Sequence, residues 1–120
     1  IDRIIAVFPE GQQQQIRTQL GGCLEAVFAQ TLLQRLQADG QKKGRVMAQE
    51  ILIKNNAIAN MIREGKSAQI YSAMQTGMGS GMQTLEFALS ELYKQKLITA
   101  EDAMMKSQRP DELRRLAGID

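Results

Sequence analysis

Few stretches of this sequence hold residue types that could do chemistry, and each fails on spacing. Gly65-Lys66-Ser67 has the form of the tail of a phosphate-binding loop, where backbone N–H groups wrap phosphates and a lysine neutralises them. That loop needs another glycine five residues earlier, and position 60 is Asn. It must also follow a strand and open a helix, whereas here the tripeptide closes one helical stretch just before another. The alternate glycines of Gly77-Met78-Gly79-Ser80-Gly81 could form an anion-binding nest at the start of a helix expected over 82–96. Their spacing is not GxGxxG, and a flexible interhelical turn is the expectation. The acids Glu50, Glu64, Glu86, Glu91, Glu101 and Asp102 are scattered, with no pair spaced for acid–base work. The absence of histidine removes the Ser-His and Cys-His dyads and the commonest zinc ligand. No complete active site is therefore expected, and no cofactor or metal ligand set within these residues.

Composition narrows the class. At 120 residues with 43% apolar content, the chain suits one domain's worth of core. Fifteen basic against thirteen acidic residues leave a net charge of +2, and aromatics are few, so no basic-aromatic ribbon for nucleic acid is visible. Cys23 is the only cysteine, which rules out an intrachain disulfide and suits a reducing compartment. Its apolar window predicts a small core residue. No apolar run nears the ~18 residues of a membrane-spanning helix, and no signal peptide is visible. Ile1 is not a natural initiator and Asp2-Arg3-Ile4 reads as mid-protein, so a fragment or processed product is expected.

The elements follow from periodicity and punctuation. Residues 1–8 are a short apolar segment ended by Pro9, with a turn at Glu10-Gly11. Ile16, Leu20, Cys23 and Leu24 recur at helical spacing, predicting a helix over 12–22. Residues 25–35 and 45–53 flank the turn chemistry of Asp39-Gly40-Gln41-Lys42-Lys43-Gly44, and a β-hairpin is the simplest joint reading. An unpaired hairpin edge invites dimerisation or strand exchange.

Helices are expected from residue 56 onward. In Ala57-Ile58-Ala59-Asn60-Met61-Ile62-Arg63-Glu64-Gly65-Lys66, a rotation of about 100° per residue puts Ala57, Ile58, Met61 and Ile62 on one side, and Asn60, Arg63 and Glu64 on the other. Asn55 or Asn56 can cap its start, and Gly65 can end it in the left-handed conformation. Ser67 is a candidate cap for a helix holding Ile70, Tyr71 and Met74. Met82, Leu85, Ala88, Leu89, Leu92 and Tyr93 form the next stripe. Thr99 opens a capping box, with Ile98 able to staple against Ala103 and the acids Glu101-Asp102 favouring the helix dipole. Pro110 suits the first turn of a last helix lined by Leu113, Leu116 and Ile119 and ended by Gly118.

Three sets of residues, in order along the chain, resemble the PilT-type twitching-motility ATPases, hexameric motors that retract type IV pili. Asp2-Arg3-Ile4-Ile5-Ala6-Val7-Phe8-Pro9 with Gln12-Gln13-Gln14-Gln15-Ile16-Arg17 is similar to the family's DRIIDVFP and QQQQIR run. Residues 57–66 resemble its AIRNLIREG box, with Ala59 where the family usually has Arg and Met61 replacing Leu. Gln75-Thr76-Gly77 with Gly81-Met82-Gln83-Thr84 resembles its QTG…GMQT segment.

The resemblance covers nearly the whole chain and implies an α+β fold. The hairpin at about 25–53 would be the edge of a RecA-like α/β ATPase domain, followed by a C-terminal helical bundle. Residues 1–54 would close the motor core, and 55–120 would form the helical subdomain. It implies a parent that binds ATP and Mg through loops upstream, forms a homo-hexamer, lies in the cytoplasm at the inner membrane and meets the pilus platform protein there. The fragment alone is expected to be inactive. The box at Ala57, Ile58, Asn60, Met61, Ile62, Arg63, Glu64 and Gly65 is tied in that family to retraction, so its polar face becomes the expected partner-binding surface. The missing arginine at 59 puts a charge-based role there in question.

Two other readings compete. One is a related pilus-extension or type II secretion ATPase, which the retraction-type box disfavours. The other is a stand-alone helical interaction module without ATPase activity, using its seven methionines as an adaptable surface. The stand-alone module differs from the motor reading on one point, whether a phosphate-binding loop lies upstream.

Overall fold

Helix α1 spans Asp2–Ala6 and a 3-10 turn spans Glu10–Gln12 in the computed structural model, which describes residues 1–119. There follow α2 (Gln13–Cys23), strands β1 (Ala26–Leu36) and β2 (Lys42–Ile53), α3 (Asn56–Arg63), α4 (Ser67–Thr76), α5 (Leu85–Lys94), α6 (Ala100–Lys106) and α7 (Pro110–Ala117). The two strands form one antiparallel hairpin, so the chain is α+β. Both strands run past the expected bounds, because the reversal is confined to residues 37–41. There Gln37 N–H donates to the Gln41 carbonyl at 2.7 Å and Gly40, at φ 86°, takes the left-handed position. Gly44 keeps a positive φ of 81° but lies inside β2 rather than in the turn.

Two compact units divide this chain, and each draws on residues from both sides of position 54. The first joins Ile1–Val27 to Leu52–Met82; the second joins Phe28–Ile51 to the stretch from Gln83 onward. In the first unit, Leu52, Ile58, Ile62, Ile70, Met74 and Met82 make the core, with Leu20, Leu24 and Val27 packed against them. In the second, Leu33 and Ala48 of the hairpin join Leu85, Leu89, Ile98, Ala103 and Leu113. Ile98 and Ala103, the expected staple, are both fully buried there. Thr99 Oγ1 accepts from Asp102 N–H at 3.1 Å, Pro110 opens α7, and Gly118 ends it at φ 71°.

Four expectations change. Cys23 is exposed, because the last residue of α2 turns away from the stripe that Leu20 and Leu24 bury. Ser67 makes no cap for α4; its hydroxyl donates to Asp2 Oδ1 at 2.5 Å instead. The stripe from Met82 is not all helix. Met82 is buried but precedes α5, which starts at Leu85 because Gln83 is drawn into a bridge with Ile51 and Thr84 provides the cap. On α3, Ala57, expected on the apolar side, is exposed, while Ala59 is buried at 5% exposure. Among the described residues no helix is long and apolar enough to cross a membrane.

Candidate functional site

The box begins where Asn55 Oδ1 accepts the Ile58 N–H at 2.8 Å, which fixes the start of α3. Ile58 and Ile62 are then fully buried and Met61 is half-buried, so the apolar face docks the helix. Gly65 stops it at φ 70°, a left-handed conformation that a side chain would strain.

Helix α2 packs on the other flank of α3 through a row one turn apart: Gln14, Arg17 and Gly21. Gln14 Nε2 donates to the Arg63 carbonyl at 2.8 Å. A Cβ at Gly21 would lie 3.0 Å from the Ala59 carbonyl oxygen and 3.0 Å from Arg63 Cγ. The two backbones therefore meet where α2 has no side chain. The approach of α2 covers position 59 and leaves Ala57, expected on the apolar side, outside.

The polar face carries Asn60, Arg63 and Glu64, all exposed. Arg63 Nη1 donates to Asn60 Oδ1 at 3.0 Å. Glu64 forms an ion pair with Lys66 at 2.9 Å, with both side chains about half exposed (54% and 52%), so it adds little to stability.

The second set of residues is accounted for by turns and caps. Thr76 Oγ1 donates back to the Ala73 carbonyl at 3.0 Å, and α4 ends at Gly77. A Cβ at Gly77 would press on Met82 Sδ at 3.0 Å, so glycine lets Met82 fold back into the core. Gly81 takes φ 96° after a 3-10 turn at Met78–Ser80. The glycine run thus ends three residues short of Thr84, the cap of α5, and is a turn rather than a phosphate nest. Gln75 through Met82 belong to the first unit, Gln83 and Thr84 to the second. Gln83 exchanges backbone bonds with Ile51 at 2.8 and 2.9 Å, and its side chain donates to the Gln49 carbonyl at 2.6 Å. Thr84 Oγ1 accepts from Phe87 N–H at 3.1 Å.

Gly65-Lys66-Ser67 links α3 to α4 with no preceding strand, and its lysine is engaged by Glu64. These residues do not fit a nucleotide phosphate. Among the described residues no group of three His, Cys, Asp or Glu side chains could hold a metal ion.

Two features escape sequence reasoning. Glu86, one of the scattered acids, is 1% exposed and accepts from Ser107 Oγ at 2.8 Å and from the N–H groups of Gln108 and Arg109 at 3.1 and 3.3 Å. Burial, then the Glu86 carboxylate, push the Glu50 carboxyl above its ordinary value of 4.5, against the Arg109 charge. The partners lie 21 to 23 residues from Glu86, beyond any local spacing rule. The second feature is the Gln14–Arg17–Gly21 row. It has a helical-period signal, but only the tertiary approach of α3 gives it meaning.

No protein-family model matches the chain. It is 44% identical over 113 residues to a twitching motility protein of Neisseria gonorrhoeae, covering 94% of this chain and 29% of that protein. It is 43% identical over 111 residues to the type IV pilus retraction ATPase PilT of Pseudomonas aeruginosa, covering 92% and 31% respectively. The crystal structure of the pilus retraction motor PilT with bound ADP superposes with a TM-score of 0.79 at 46% identity, over 95% of this chain and 30% of that one. The Legionella pneumophila ATPase DotB shares the fold at a TM-score of 0.61 and 15% identity, over 87% of this chain and 27% of that one. The chain thus resembles the C-terminal part of the PilT retraction ATPase and spans about 30% of the length of these relatives.

Proposed function

We propose that this chain is the C-terminal part of a motor ATPase that powers type IV pilus retraction, and that α3 supplies its contact surface. The observation that carries this reading is similarity to PilT over nearly the whole chain, joined to a box helix whose apolar face is spent on the core while Asn60, Arg63 and Glu64 stay exposed. In this reading residues 1–54 continue the RecA-like motor core and 55–120 form the helical subdomain. ATP and Mg are bound by residues outside this chain, and Gly65-Lys66-Ser67 does not fit them. The parent works as a hexamer in the cytoplasm, peripheral to the inner membrane, and the box meets either the neighbouring subunit or the pilus platform protein. Gln75, Thr76, Gly77, Gly81, Met82, Gln83 and Thr84 support the site by setting where α4 ends and α5 begins.

The test is Arg63→Ala in the full-length protein. ATP hydrolysis and helix content are expected to stay near those of the parent, because the bond of the Arg63 side chain to Asn60 is exposed, while twitching is lost. Normal twitching by that variant would remove the role given to the box.

A further inference from the structure

We infer that Arg17 of α2 works with Arg63 of α3 as a two-guanidinium surface that recognises carboxylates on an acidic segment of a partner polypeptide. The inference rests on the retraction-motor reading of the α3 box and adds to it a residue from another helix and the chemistry of the partner.

Arg17 is held against the end of the box. A Cβ on Gly65 would lie 3.4 Å from Arg17 Nε and 3.8 Å from Cζ, so the guanidinium rests on the glycine that terminates α3. A structural explanation would make Arg17 a cap for that helix end, where carbonyls attract cations. The last four carbonyls of α3 are already served. Asn60 accepts from Glu64 N–H at 3.0 Å, Met61 from Lys66 N–H at 2.8 Å, Ile62 from Gly65 N–H at 3.2 Å, and Arg63 from Gln14 Nε2 at 2.8 Å.

Neither arginine is neutralised locally. Glu64 of the box is engaged by Lys66. Among the described residues, no carboxylate lies within 4.0 Å of Arg17 or Arg63. The Arg63 side chain donates to the neutral Asn60. Each guanidinium is a rigid fork of N–H donors that matches a carboxylate bidentately. Two forks presented from adjoining helices match two carboxylates on one segment better than a single small anion.

The test is fluorescence anisotropy of a fluorescein-labelled hexaglutamate peptide with the full-length protein, with hexaglutamine as the control. The parent is expected to bind hexaglutamate alone, more weakly as salt rises. Arg17→Gln and Arg63→Gln should each weaken binding about tenfold, the loss of a charge-assisted bond. Arg17→Lys should fall between, and the distant Lys94→Gln should match the parent. Binding by Arg17→Gln equal to the parent's, absence of hexaglutamate binding, or displacement of the peptide by inorganic phosphate at matched ionic strength would each overturn the inference. If Arg63→Ala abolishes twitching while Arg17→Gln binds peptide and twitches normally, the motor reading stands and this inference alone fails. If Arg63→Ala twitches normally, the role given to the box fails on its own evidence.

Discussion

Replacing Glu86 with Ala should loosen α7 without melting the rest of the second unit. Glu86 is buried on α5 and accepts three hydrogen bonds from residues 107–109, just before Pro110 starts α7. Arg109, the capping residue of α7, provides no side-chain cap, so the Glu86 carboxylate anchors the approach to that helix. Bonds to a buried carboxylate can be worth up to about 3 kcal/mol each, but Gln108 and Arg109 are exposed and their N–H groups can turn to water. We therefore assign about 1 kcal/mol to each bond and about 3 kcal/mol to the set. Local opening of α7 should become about a hundredfold more frequent.

Hydrogen exchange of the peptide covering 108–117, followed by mass spectrometry, reads this directly. Exchange should rise there while the α3 amides of the other unit keep their protection. Glu86→Gln retains an acceptor and the shape of the side chain, and should give a smaller increase. Unchanged uptake in 108–117 for Glu86→Ala would refute the anchoring role.

Three further outcomes follow from the same packing. Ile62 is 1% exposed in the first core, so Ile62→Ala should cost about 2–5 kcal/mol in denaturant unfolding; a loss below about 1 kcal/mol would show that it is not core. The raised Glu50 carboxyl means the folded chain retains a proton that the unfolded chain has released. Its favourable contribution is full below the ordinary value of 4.5 and lost as pH rises through the raised value. Glu50→Gln should flatten the dependence of melting temperature on pH over that window and raise it at neutrality; an unaltered slope would count against the assignment. Ala59→Arg, which restores the family residue, should destabilise by about 1–3 kcal/mol through overpacking at a position only 5% exposed, and a urea midpoint equal to the parent's would show that the site adapts.

What the sequence disclosed and what it withheld divide along physical lines. Local chemistry was legible: the caps at Asn55 and Thr99, Pro110 at a helix start, and the left-handed glycines at 65 and 118 all act where their residue types predict. The hairpin was legible because its turn residues leave few alternatives. Contacts between distant segments were not. Helical period alone puts Ala57 on the apolar side, and it cannot tell which flank a second helix will cover. Cys23 was read from its apolar neighbours, although its own direction at the end of α2 decides its exposure. Glu86 looked like one solvated acid among several, because donors more than twenty residues away supply its partners. In the candidate site, Arg63 and Asn60 were visible as one face, whereas Arg17 and Gly21 required the neighbouring helix.

The way the chain alternates between its units has a consequence for synthesis. Each unit is made from two separated segments, and the hairpin strands carry the chain out of the first unit after Val27 and back at Leu52. A nascent chain holding residues 1–51 has completed neither unit. The first becomes satisfiable only once Met82 has left the ribosome, and the second must wait for α7, whose Leu113 fills its core. Closing such non-local segments is slow compared with forming their helices, since ordering entropy is lost before the distant contacts form. Until then Ile58, Ile62 and Leu33 lack their partners, so a stall or truncation between residues 54 and 82 would leave apolar surface from both cores uncovered. A cut at the 54/55 boundary would therefore separate two halves that each depend on the other to fold.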